Sequence, residues 1–142
     1  MTKNKIRLNN EEETKKFAGE FSKNLKKGDV VELIGDLGSG KTFFVRALAE
    51  ALGAEKVSSP SFVIKNEYTG KRFNILHFDL YRLNGLGIIK EELAENLSSN
   101  SLIIIEWGDS AKEILPADRY KIFINVTGEN SRELTIYDYP KH

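Results

Sequence analysis

No cysteine occurs anywhere in the chain. That removes disulfides, thiolate nucleophiles and cysteine-based zinc sites together. Histidine is scarce: His77 and His142 are too few for a histidine metal cluster. Neither sign of charge prevails, since 21 basic residues face 21 acidic ones. No overall field therefore draws the chain onto nucleic acid or an acidic membrane. Long apolar runs are absent too. The longest wholly aliphatic one, Leu102 to Ile105, is far too short to cross a bilayer. Met1-Thr-Lys-Asn-Lys-Ile-Arg7 has basic residues with no apolar stretch behind them, so no signal peptide is expected. The 142 residues show no repeat, low-complexity tract or linker. One domain over 1–142, cytoplasmic and without membrane association, is expected.

Against these absences one stretch stands out. Val30-Val-Glu-Leu-Ile34 has the composition of a buried strand, and Gly35-Asp-Leu-Gly-Ser-Gly-Lys-Thr42 follows it. The second segment matches G-x-x-x-x-G-K-[ST] at every fixed position. Phe44, Ala47, Leu48, Ala51 and Leu52 then recur with the spacing of one helix face, and Gly53 stands where a helix stops. The loop thus joins a strand to a helix N-terminus, where amides and the helix dipole converge on an anion. Asp36, Gly38, Ser39, Gly40, Lys41 and Thr42 form the expected phosphate cradle. Lys41 reaches toward the β- and γ-phosphates and the Thr42 hydroxyl toward Mg²⁺. A nucleoside triphosphate is the expected ligand.

Around this loop the pattern predicts an α/β protein. Asn10-Glu-Glu-Glu13 has the form of a capping box, and Phe17, Phe21 and Leu25 continue an amphipathic helix. Lys23, Lys26 and Lys27 are expected to match its dipole at the far end before Gly28. Residues 62–68 and 73–81 flank Thr69-Gly-Lys-Arg72 as a hairpin, and residues 120–126 and 132–137 form a second one. Leu102–Ile105 is a central strand, Lys90–Leu97 a short helix, and Ala111–Leu115 at most a helical turn. Residues 57–61 and 84–87 are loops, and Pro140-Lys-His142 is a loose end. The fold class expected is a P-loop NTPase-like three-layer α/β fold. Its mixed sheet has a parallel core plus antiparallel hairpins, flanked by helices.

A P-loop needs a carboxylate from a neighbouring strand for the metal or its water. Two apolar strands end in one: Asp79 after Ile75–Phe78, and Glu106 after Leu102–Ile105. Trp107, beside Glu106, would wall the site. His77 alternates with Asp79 on one strand face, where a packed, hydrogen-bonded role fits better than a general base. Ser59 and Ser61 around Pro60 have turn chemistry, or form a switch loop if a γ-phosphate lies near. No Asn-Lys-x-Asp run is present to read guanine, and Phe43 replaces the third glycine of a dinucleotide fingerprint. ATP remains.

Gly35–Thr42, Ser59-Pro60-Ser61, His77-Phe-Asp-Leu-Tyr-Arg-Leu83, Glu106-Trp107 and Leu115-Pro116, in this order and spacing, resemble the TsaE family, formerly YjeE. The seven-residue run is the most specific piece, and the likeness spans roughly residues 10–137. The resemblance implies an ATPase subunit of bacterial tRNA threonylcarbamoyladenosine synthesis, slow alone and working with the partner proteins TsaB and TsaD. It implies contact with tRNA only through that complex. It assigns Lys41 to phosphate, Thr42 and Glu106 to Mg²⁺, Asp79 to a switch-like hydrolytic role, and Trp107 to the wall of an ATP/ADP site. Three stretches depart from the family pattern: Ser61 stands for Thr, Asn84–Gly87 for Asp-Pro-Glu-Glu, and Gly108 for a frequent Pro.

Two rivals belong to other classes. A P-loop small-molecule kinase needs an arginine-bearing lid and an acceptor pocket. The few arginines, Arg7, Arg46, Arg72, Arg82, Arg119 and Arg132, fit that poorly. A nucleotide-gated binding module would capture partners without releasing phosphate.

Overall fold

The structure, a computed structural model, describes residues 2–36, 38–57, 65–80, 87–97 and 99–138. The elements in chain order are β1 (Thr2–Leu8), α1 (Glu11–Ser22), β2 (Val30–Ile34), α2 (Lys41–Ala51), β3 (Glu55–Val57) and β4 (Lys65–Thr69). There follow β5 (Ile75–Asp79), α3 (Gly87–Asn96), β6 (Leu102–Glu106), a 3₁₀ helix (Gly108–Ile114), β7 (Tyr120–Val126) and β8 (Arg132–Asp138). The strands form one eight-stranded sheet in the order β1-β8-β7-β2-β6-β5-β4-β3. Its centre, β7-β2-β6-β5, is parallel, and both flanks are antiparallel. The expected mixed sheet is therefore present. Among the described residues no helix is long and apolar enough to cross a membrane.

Strand β6 is aliphatic up to Glu106 because both of its faces are buried, and β2 and β5 are largely apolar for the same reason. Val31 and Ile104 enter the layer beneath α1 and α2, with Phe21, Leu25, Phe44 and Leu48. Their neighbours Val30, Ile103 and Ile105 enter the opposite layer with Phe78, Leu93 and Leu115. In the first layer Phe21 stands edge-on to Tyr120, ring centroids 5.4 Å apart, and Phe17 stacks on Phe44 at 6.2 Å. Burial there pushes the Tyr120 hydroxyl up to about 12, helped by Asp138 and Asp29.

Local signals account for most of the element ends. The Asn10 side chain accepts from the Glu13 amide at 2.9 Å, as an N-cap does. The reciprocal half of the box is shifted by one residue, because Glu13 Oε1 accepts from the Asn9 amide at 3.1 Å. At the other end the expectation fails. The helix stops at Ser22 with Lys23 as its cap, so Lys26 and Lys27 lie beyond it and no basic residue occupies the last turn. Leu25 keeps the helical spacing because it is fully buried from the turn that follows. Gly53 ends α2 as expected, with the Ala54 amide donating to Ala49 O at 2.9 Å.

The first hairpin is β4–β5, within the expected limits over its described part. Its residues 62–64 and 81, the Ser59–Ser61 loop, residues 84–86 and Pro140–His142 lie outside the described residues. Helix α3 begins at Gly87, three residues ahead of the expected start. Of the turn expected at 111–115, residues 111–114 fall in the 3₁₀ segment Gly108–Ile114, which is kinked at the non-helical Ala111, and Leu115 is its cap. Strand β3 was not expected.

Candidate nucleotide-binding site

Parallel pairing brings three strand ends to one edge of the sheet. Leu33 of β2 pairs with Glu106 of β6, and Asp79 of β5 pairs with the same Glu106. This places the glycine loop after β2 beside both carboxylates, at the carboxyl edge where open α/β sheets take ligands. Gly38, Gly40, Lys41, Thr42, Asp79, Glu106 and Trp107 line one cavity of about 270 Å³. The two other loop candidates lie apart from it. Asp36 lines a neighbouring cavity with Glu32, Trp107, Gly108, Asp109 and Asn125, and Ser39 lines a third between α2 and β7–β8.

Gly40 is the N-cap of α2, at φ 98, and its nearest neighbour is an arginine. A Cβ there would come 3.2 Å from Arg132 Nε, in a backbone conformation that L side chains rarely adopt. Gly35 is needed for a different reason: a Cβ would stand 2.7 Å from both Ile124 O and Ser39 Oγ. The loop folds back on itself through the Ser39 amide, which donates to Asp36 O at 3.1 Å. The Ser39 hydroxyl is buried with no hydrogen-bond partner among the described residues.

The Lys41 ammonium donates to Gly35 O and lies 4.0 Å from the centroid of the Trp107 ring. Burial holds it below the ordinary lysine value of 10.5, and Glu106, Asp79 and Asp36 partly oppose that shift. Trp107 reaches the lysine from a left-handed backbone conformation, φ 59 and ψ 45, the only positive φ among the described non-glycine residues. On the floor of the site, Nε2 of buried His77 meets Oε2 of buried Glu106. His77 is thus packed and in contact with a polar partner at one ring nitrogen. The other, Nδ1, is buried with none among the described residues.

Two features have no local sequence signal. Arg132 crosses from β8 to donate to Ser39 O at 2.7 Å, bracing the loop from outside. Arg119 donates to Glu32 at 2.8 Å and to Pro116 O at 2.8 Å, forming a buried pair just upstream of the loop. The Glu32 carboxylate comes so near Gly108 that a Cβ there would meet Oε2 at 2.8 Å. Arg132 is 93 residues from Ser39 and Arg119 is 87 from Glu32. Only the fold reveals them.

The donors on the cavity suit a hard cation beside a phosphate. A hydroxyl and two carboxylates offer oxygen only, and Mg²⁺ is ordinarily bound by one or two carboxylates together with substrate phosphates. Thr42 and Glu106 share that cavity, with Asp79 paired in register with Glu106.

Sheet order and loop together define the class: a P-loop nucleotide-binding protein on a mixed α/β sheet. The model of the family described as threonylcarbamoyl adenosine biosynthesis protein TsaE matches residues 8–134. The tRNA threonylcarbamoyladenosine biosynthesis protein TsaE of Rickettsia felis is 40% identical over 131 residues, covering 91% of this chain and 77% of that one. Its Bacillus subtilis counterpart is 38% identical, over 92% of this chain and 83% of the relative. The crystal structure of Bacillus subtilis YdiB superposes with a TM-score of 0.78 at 35% identity, covering 98% of this chain and 87% of that one. The chain belongs to the TsaE family.

Proposed function

We propose that this chain acts in the biosynthesis of threonylcarbamoyladenosine in tRNA as a Mg²⁺-dependent ATPase, in the cytoplasm, together with TsaB and TsaD. The observation that carries the catalytic part is the single cavity shared by Lys41, Thr42, Asp79, Glu106 and Trp107 at the mouth of the P-loop. The biosynthetic role follows from the family, and nothing in the fold favours the small-molecule kinase or a binding module without turnover.

The α2 N-terminus and the loop amides cradle the phosphates. Lys41 leaves Gly35 O and the Trp107 face to meet them, and supplies positive charge where the transferring phosphoryl group develops negative charge. Thr42 and Glu106 would hold Mg²⁺, which when bound would supply positive charge against the phosphates. Asp79, on the strand beside Glu106, orients the attacking water and responds to the state of the phosphate. The third cavity, about 150 Å³ between Phe43, Phe44, Ile124 and Asn130, shares Gly40 with the phosphate cradle and takes the base.

Two measurements test this together. Lys41→Ala lowers phosphate release by at least about 100-fold, the loss typical of one preorganised charge-stabilising donor. Wild-type release in that variant would overturn the ATPase assignment. Asp79→Ala binds ATP as the wild type does and fails to support tRNA modification reconstituted with TsaB and TsaD. Full modification by that variant would remove Asp79 from the coupling.

A further inference from the structure

The least explained group on the floor of the site is His77. It lies in the middle of β5, between Leu76 and Phe78, and is 4% exposed. An imidazole buried among aliphatic strands is costly unless a specific partner repays it. Its partner is Glu106, also 4% exposed, from the adjacent parallel strand. The register explains the meeting. His77 pairs with Ile104 and Asp79 with Glu106, so His77 sits one same-face step below the two carboxylates.

We propose that His77 is a positioning residue: its Nε2–H holds Oε2 of Glu106 and so fixes the orientation in which Oε1 meets the divalent cation. A carboxylate can only accept, so Nε2 carries the hydrogen. This tautomer leaves Nδ1 with a bare lone pair. It thereby avoids a buried orphan N–H at the nitrogen that lacks a partner among the described residues. Metal-ligating carboxylates are themselves held by hydrogen bonds of this kind. Without the contact Glu106 would keep its place on β6 but lose the constraint on its carboxylate plane. The role is distinct from general-base chemistry, because His77 is aimed at Glu106 below the cavity and is not among the residues that line it.

The inference rests on the Mg²⁺–nucleotide assignment, and the experiment separates the two. Mn²⁺ binding to the ADP-loaded protein is measured by electron paramagnetic resonance for the wild type, His77→Gln, His77→Asn and His77→Phe. ADP affinity without divalent ion and thermal melting are measured alongside. The Gln side chain places its amide nitrogen where Nε2 lies, whereas Asn places it where Nδ1 lies. Asn and Phe are expected to weaken Mn²⁺ by about 10- to 100-fold, and Gln to stay within about threefold of wild type, with metal-free ADP affinity unchanged in all. A purely packing role predicts instead that Mn²⁺ affinity follows melting temperature and that Gln gives no rescue. Either that pattern or unchanged Mn²⁺ affinity in both Asn and Phe overturns the positioning role alone. A wild type with no ADP-dependent Mn²⁺ site overturns the metal assignment and this inference with it. Should Asn not fold, the Phe and Gln pair carries the same comparison.

Discussion

Lys41 shows how a functional group can weigh on the fold that carries it. Its ammonium is buried against Gly35 O and Trp107, and desolvation lowers its proton affinity despite three nearby carboxylates. In the unfolded chain the same group titrates near 10.5. Between the lowered folded value and 10.5 the unfolded state therefore binds more protons, and the contribution of Lys41 to stability rises with pH across that window. Lys41→Met removes this rise. Chemical denaturation of the nucleotide-free protein at pH 8 and pH 10.5 should show the wild type gaining more stability than the variant. At pH 7 the variant should be at least as stable as the wild type, a frequent result when an active-site charge is replaced. A wild-type gain no larger than that of the variant would show that the ammonium costs the fold nothing.

The elements differ in how openly the sequence announces them. The loop and its flanking strand and helix lie in one continuous stretch, so spacing alone displays the cradle at 35–42. The carboxylates at 79 and 106 were legible because each closes a strand-like, mainly apolar run. Strand β3 was not, since Glu55-Lys-Val57 is three exposed residues that pair only with β4. The end of α1 was misplaced because helical spacing persists through Leu25, which serves the core from a turn. The contact of His77 with Glu106, and those of Arg132 and Arg119, depend on strand order, which periodicity does not contain. One of these pairs has a measurable consequence for β2. Removing Arg119 leaves the Glu32 carboxylate buried without its partner, so Arg119→Met should cost about 3–5 kcal/mol in urea denaturation. The double replacement of Arg119 and Glu32 by apolar residues should recover most of that loss. A single variant within about 0.5 kcal/mol of wild type would mean that Glu32 is otherwise satisfied.

At the scale of the molecule, ligand and fold are linked through the sheet edge. On the proposed assignment Mg²⁺ with ADP or ATP would bind an arrangement that only the folded chain has, so it should raise the melting temperature as a logarithm of concentration. At a hundredfold excess over Kd the gain is about 2.7 kcal/mol. For a chain of this size that corresponds to a shift on the order of 10 °C. The shift should vanish in Lys41→Ala, and a variant that retains it would still bind nucleotide through the loop amides.

The parallel order of β7-β2-β6-β5 also governs how the chain reaches this state. Val30 and Val31 find their partners in Ile103 and Ile104, and β5 joins only through the same late strand. Contacts of such long sequence separation require large loops to close before any pairing is gained, which makes folding slow. The cradle at residues 35–42 is synthesised early, yet both carboxylates join it only when β6 has inserted between β2 and β5. A nascent chain that lacks residues beyond 100 therefore carries the loop without the Glu106 carboxylate beside it. On the proposed assignment, complete metal-nucleotide binding would be the signal that β6 has taken its place between β2 and β5.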